Sequence, residues 1–196
     1  MAEIKSTMDL VMERMAKMTA NAKPVASDED TMKAGMRLAA DFLNNQLEDL
    51  VEALAGNPPE TQQAMYKGAV QTLLRNVVLP RDEMLQKRSE VALNGVMSIA
   101  GNFGVSAISQ ICSELQQILQ QYDKHKEQVT QQLEGALKAQ LEQQYAGRGV
   151  DAGKIRASMH PKYQEEMTRM QQELNGQYNQ AMQQRKDTIL EQLGLV

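Results

Sequence analysis

Apolar residues recur along the chain at the three- and four-residue spacing of amphipathic α-helices, and no segment alternates as a β-strand would. Proline, glycine and capping residues divide this pattern into six predicted helices. The helices cover about residues 3–21, 27–54, 59–79, 80–101, 105–145 and 161–193. We therefore predict an all-α protein. The glycines at 101 and 104 leave open whether residues 81–146 form one helix or two.

The last two predicted helices carry a narrow apolar stripe, which is typical of a coiled coil. The stripe of the first is interrupted at Lys126, with a solvent-facing His125 expected beside it, and the stripe of the second is interrupted at Arg185. A glycine-rich turn at residues 147–161 separates the two helices. Long helices joined by a short turn pack antiparallel by default, so we predict a long antiparallel helical hairpin.

Composition divides the chain into three predicted parts. Residues 1–26 form an amphipathic Met-rich helix, residues 27–104 a helical bundle, and residues 105–196 the hairpin. Nineteen of the twenty-four glutamines lie at or after Gln110, which marks the change from bundle to hairpin. Aromatic residues make up only 4 % of the chain, so methionine, alanine and leucine must supply most of the core.

Charge and cysteine content exclude several classes of protein. The net charge is −4 and neither half of the chain is basic, which argues against a general nucleic-acid binder. Cys112 is the only cysteine, so an internal disulfide is excluded and a reducing compartment is favoured. The charged opening residues lack the apolar segment of a signal peptide. We therefore predict a cytoplasmic protein.

One stretch, residues 91–113, contains no charged residue and is long enough to span a bilayer. It also contains seven serine, asparagine and glutamine residues, which would be costly in hydrocarbon. We expect buried helix rather than integral membrane insertion, while contact with a membrane stays open.

Residues of the types that bind metals, bind phosphate or catalyse reactions are scattered along the chain. The Gly153-Lys154 pair lacks the spacing of a phosphate-binding loop. His125, His160 and Cys112 do not share the spacing of metal ligands or of a catalytic pair. The sequence therefore predicts no enzyme, no catalytic or metal site and no cofactor.

Two surfaces are predicted to bind a partner. The first is a soft, adaptable methionine face on the N-terminal helix, since thioether side chains suit varied apolar partners. The second is the basic hairpin turn. The candidate residues are Met8, Met12, Met15 and Met18 on the helix, and Arg148, Lys154, Arg156 and Lys162 at the turn.

The opening segment of the chain resembles that of a group of other proteins. Residues 1–13, MAEIKSTMDLVME, resemble the start of a group of uncharacterised bacterial proteins that are helical throughout. Those proteins close with a long helix pair around a turn that contains glycine and proline, which the turn at 147–161 resembles loosely. The resemblance implies an all-helical fold and no assigned activity.

These observations predict a non-enzymatic cytoplasmic scaffold, adaptor or stalk-like protein that acts through helix–helix contacts. Its partner is a protein, and self-association stays open. One alternative is a chaperone-like binder of apolar segments through the methionine face. The other is a protein that binds nucleic acid or a membrane surface through the basic turn.

Overall fold

The computed structural model describes residues 27–104, 106–146 and 151–195. Six α-helices form most of these ranges, and no strand occurs within them. The predicted all-α fold is confirmed. The helices are α1 (Asp28–Leu43), α2 (Leu50–Ala55), α3 (Pro59–Asn76), α4 (Glu83–Asn102), α5 (Ser106–Tyr145) and α6 (Tyr163–Gln192), with 3₁₀ turns at Ala152–Lys154 and Ala157–Met159 between the last two.

Side-chain caps start several of the helices. The Oγ atom of Ser27 accepts a hydrogen bond from the backbone N–H of Asp30 at 3.2 Å. The acidic first turn of α1 then lies at the positive end of the helix dipole. Asp49 and Asp82 cap α2 and α4 in the same way.

The helix predicted over residues 27–54 is wrong in its middle, because the chain leaves the helix after Leu43. Asn45 has a left-handed φ of 57°, and the N–H of Gln46 bonds to the carbonyl of Asp41 at 2.8 Å. This is a Schellman motif, and asparagine is one of the few non-glycine residues that enter the left-handed region readily. The apolar stripe continues across the break, which is why periodicity alone did not reveal it.

Helices α1 and α3 pack antiparallel, with their backbones in contact at two glycines. A Cβ atom added to Gly35 would lie well inside 3.0 Å of the Met65 carbonyl, and one added to Gly68 would meet the Met32 carbonyl in the same way. The two contacts are reciprocal, since each glycine faces the residue three positions before the other. The absence of a side chain at both positions therefore sets the distance between the helices.

One apolar core connects all six helices. The uncharged stretch at residues 91–113 contributes to it, since Leu93, Val96, Ile99 and Ile108 have no exposed surface. Throughout the described ranges, every helix is too short or too polar to cross a membrane.

The stretch also contains a break, so residues 81–146 form two helices. Helix α4 ends at Asn102 and α5 begins at Ser106. Between them, Gly104 has a φ of 68°, which glycine adopts without strain.

The connection between α3 and α4, residues 77–80, is extended and largely buried. Its backbone groups bond to side chains of other helices. The Oγ atom of Ser89 accepts from the N–H of Val78 and donates to the carbonyl of Asn76, both at 3.2 Å. From α6, the ammonium of Lys186 donates to the carbonyl of Val77 at 2.6 Å. Because of this connection, α3 is three residues shorter than predicted.

Replacement of Gly35 or Gly68 by alanine should destabilise the fold, because the new methyl group would meet backbone atoms of the neighbouring helix. We expect the free energy of unfolding to fall by about 1–3 kcal/mol for each variant, as for other overpacked sites. Urea unfolding followed by far-UV circular dichroism measures this change.

Gly135 and Gly176 supply the matched control. Both are exposed and helical, and an added Cβ atom would have nothing within 4 Å. Alanine at either position should raise the free energy of unfolding by about 0.5–1 kcal/mol. Equal responses from the buried and the exposed pair would contradict the close backbone contact.

Candidate interaction surfaces on the long helix pair

Helices α5 and α6 run antiparallel along one another. Near the start of α5, the Glu114 carboxylate pairs with the Arg185 guanidinium at 2.7 Å. Further along α5, Glu134 accepts a hydrogen bond from the hydroxyl of Tyr163 at 2.8 Å. The interruption of the α6 stripe at Arg185 is thus a polar contact across the pair. At 1.5 Å per residue, the 40 residues of α5 span about 60 Å.

The main core ends part of the way along this pair. On α5 its last members are the buried Tyr122 and the partly buried Val129, and the next fully buried residue, Leu137, does not belong to it. We call residues 123–173 the arm. From Val129 to Tyr145, α5 extends a further 24 Å or so beyond the main core.

A polar network crosses the pair where the main core ends. The hydroxyl of Tyr122 donates to Oδ1 of Asn175 at 2.8 Å, and its ring meets that of Tyr178 edge to face at 5.3 Å. Nδ1 of His125 lies 3.3 Å from the Tyr178 hydroxyl, so this histidine is half-buried rather than solvent-facing as predicted. Burial raises the pKa of Tyr122 above its ordinary value. The ammonium of Lys126 lies 5.9 Å from the centre of the Tyr122 ring.

The far end of the arm has a small apolar core of its own. We call residues 137–146 and 151–163 the tip. Leu137 and Leu141 on α5 are buried although they lie outside the main core, and Ile155 in the returning chain is only 6 % exposed. The returning chain contacts α5 at its second 3₁₀ turn, Ala157–Met159. Asp151 supports the return, since its Oδ1 accepts from the N–H of Gly153 at 3.0 Å. The tip is therefore a packed surface rather than a bare helix end.

Three of the predicted basic residues lie together in the returning segment of the tip. Lys154, Arg156 and Lys162 are exposed, and none of them forms a salt bridge with another described residue. Met159, which no pattern in the sequence singled out, lies between them along the chain and is 65 % exposed. Tyr145 at the end of α5 is 38 % exposed. The tip thus combines cations with exposed apolar side chains.

The other predicted partner-binding residues lie outside the described residues. These are Met8, Met12, Met15, Met18 and Arg148. The methionine face and the full basic turn therefore stay predictions.

A groove of about 620 Å³ lies at the base of the arm. We call it the basal groove. One wall comes from residues 78–85 and the other from α6, with α5 as the floor. Its amide residues were missed in the sequence, although their i, i+4, i+8 spacing places them on one helix face. The lining consists of Val78, Leu79, Arg81, Leu85, Tyr122, Lys126, Gln171, Asn175 and Asn179.

Residues of the types that bind metals or catalyse reactions do not form a common site in the described part of the chain. Within the part of the chain that the structure describes, histidine, cysteine and carboxylate groups do not gather as a metal site would require. Cys112 is fully buried, which raises the pKa of its thiol to about 11. Nδ1 of His160 accepts from the N–H of Lys162 at 3.2 Å. The structure thus brings neither histidine to Cys112.

Comparison with protein-family models matches residues 51–191 to a family of unknown function, DUF6657. The match begins in α2 and ends in α6. It does not include the opening residues 1–13, so the resemblance noted there stays a prediction. No curated protein and no solved structure matches the chain.

Replacement of Ile155 by alanine should loosen the tip without unfolding the main core. Truncation of a buried isoleucine costs about 2–5 kcal/mol, and at the tip that cost acts on a small separate cluster. Hydrogen exchange followed by mass spectrometry should show faster exchange at the tip. Met159→Ala is the control, because its side chain is exposed and its loss should leave exchange unchanged. Equal protection of the tip in both variants would show that Ile155 does not hold it.

The Cys112 thiol should resist alkylation in the native protein. With a pKa of about 11, little thiolate exists at pH 8, and the side chain has no exposed surface. Iodoacetamide should label the chain only after unfolding in urea, as measured by intact-mass spectrometry. Rapid labelling of the native chain would contradict the burial of this residue.

Proposed function

We propose that this chain, which belongs to the DUF6657 family of unknown function, is a non-enzymatic scaffold or adaptor that binds a partner protein through the tip of its arm. In this proposal α5 and α6 act as a helical hairpin that presents the tip to the partner, and the protein works in the cytoplasm.

The observation that carries the proposal is the separate core of the tip. A helix pair that only stabilised the main core could end near Val129, where that core ends. Instead α5 continues for about 24 Å, and Leu137 and Leu141 are buried there. This arrangement holds an ordered surface away from the helical bundle, as an interaction site requires.

The surface chemistry of the tip suggests the partner. Lys154, Arg156 and Lys162 favour an acidic surface, and the exposed Met159 and Tyr145 supply apolar contact area. Exposed methionine adapts to a partner of irregular shape. We therefore expect a protein surface that combines carboxylates with apolar side chains, on another protein or on a second copy of this chain.

Site-specific photo-crosslinking tests this proposal in the cells that produce the protein. A photoreactive amino acid replaces Ser158 at the tip in one variant and Ser98 on α4 in the other, since both serines are exposed. We expect a discrete protein adduct from position 158 that is absent from position 98. Mass spectrometry identifies the adduct, and a doubled chain mass would mean that the partner is a second copy.

Charge variants show whether the tip cations take part. Lys154→Gln, Arg156→Gln and Lys162→Gln combined in the 158 variant should reduce the adduct at least about five-fold, since interface charges govern association. The matched control is Arg75→Gln, Lys87→Gln and Lys124→Gln, which changes the net charge equally on other exposed surfaces. The proposal would be refuted if both triple variants gave equal amounts of adduct, or if positions 158 and 98 did. An adduct with nucleic acid or lipid in place of a protein would also refute it.

A further inference from the structure

We infer that the basal groove binds an extended peptide segment that carries carboxylate side chains. This inference goes beyond the proposed function, because the groove lies at the base of the arm and shares no residue with the tip. It rests on the spacing of three amide side chains, on the fixed orientation of one of them, and on the charge of the lining.

The amide side chains form a row along one wall. Gln171, Asn175 and Asn179 follow one another at four-residue intervals on α6, so neighbouring amides lie about 6 Å apart along the helix. Two residues of an extended chain span about 6.6 Å. The row therefore matches every second peptide unit of an extended segment. Each amide offers both a donor and an acceptor, as a peptide backbone requires.

The middle amide has a fixed orientation. The hydroxyl of Tyr122 donates to Oδ1 of Asn175, so the amide oxygen faces α5 and its NH₂ group is left to bond elsewhere. The described residues supply no acceptor for that NH₂ group. A backbone carbonyl in the groove would accept from it.

An α-helical ligand fits this wall less well. The backbone groups of a helix bond within the helix, so the amide row would have only side chains to meet. An extended segment leaves its backbone N–H and C=O groups in need of partners. The row spans about 12 Å, which corresponds to roughly four residues of such a segment.

The charge of the lining selects acidic ligands. Arg81 and Lys126 both line the groove, and no carboxylate belongs to its lining. The opposite wall is mostly apolar, with Val78, Leu79 and Leu85 beside Arg81. In an extended segment that bonds to the amide row, alternate side chains point toward the floor and away from it, so every second side chain can bring a carboxylate toward Lys126 on the floor.

Fluorescence polarisation with the full chain tests the inference. The probe is a fluorescein-labelled six-residue peptide that alternates glutamate and valine, with blocked ends. We expect saturable binding that weakens as salt is added. A peptide that alternates lysine and valine should not bind, and a helix-favouring peptide of alanine and glutamate should bind at least about ten-fold more weakly because its backbone is satisfied.

Paired variants locate the binding site. Gln171→Ala with Asn179→Ala should weaken binding of the acidic peptide at least about ten-fold, as expected for two lost hydrogen bonds. Its control is Gln177→Ala with Gln180→Ala, which removes exposed amides from other faces of the same helix. The control should leave the affinity unchanged.

A second pair of variants tests the cations. Arg81→Gln with Lys126→Gln should weaken binding to a similar extent and flatten its salt dependence. Lys87→Gln with Lys124→Gln, two exposed lysines outside the groove, is the control and should change neither. Circular dichroism confirms that each variant is folded.

Any one of four results would overturn the inference. These are the absence of saturable binding, equal affinity for the lysine peptide, equal affinity for the helix-favouring peptide, and equal loss in the variants and their controls. The outcome is independent of the tip, since the tip variants leave every residue of the groove in place.

Discussion

The placement of the arm depends on the hydrogen bonds of one buried connection. Residues 77–80 carry polar backbone groups into the interior, where an unbonded N–H or C=O group costs about 1–3 kcal/mol. The hydroxyl of Ser89 on α4 accepts a hydrogen bond from the N–H of Val78, and the ammonium of Lys186 on α6 donates one to the carbonyl of Val77. Burial lowers the pKa of Lys186, so its ammonium is held there against the cost of leaving water. The connection therefore joins α6 to α3 and α4, and it also forms part of the mostly apolar wall of the basal groove.

Beyond the connection at residues 77–80, the contacts between α5 and α6 differ from one part of the pair to the next. Near its base it belongs to the main core, and at the tip it has a core of its own. Between them, the network around Tyr122 and Tyr178 replaces apolar packing with hydrogen bonds and ring contacts. Such contacts require a particular register, whereas an apolar stripe tolerates sliding. The polar network at the base of the arm thus specifies how α5 and α6 align, which in turn places the tip residues relative to the base.

Periodicity predicted the helices well, because burial of one face imposes a spacing that the sequence records directly. It predicted the all-α fold, and it located the interruptions of the apolar stripes at Lys126 and Arg185. It failed at Asn45, where a cap ends α1 without disturbing the apolar stripe. The glycine contact of α1 with α3 and the residues of the basal groove were also missed. Both depend on which helices become neighbours, and a single sequence contains no direct signal for that.

The basal groove has one wall on the connection to α4 and the other on α6. Its width therefore follows the angle between the arm and the helical bundle. Any tilt of the arm must widen or narrow the groove, and a ligand that fits one width favours the corresponding angle. By thermodynamic linkage, a ligand bound at the groove and a partner bound at the tip would affect each other only to the extent that both change this angle. About 24 Å of α5 extends beyond the main core, so a rotation of about 5° at the base would displace its far end by about 2 Å.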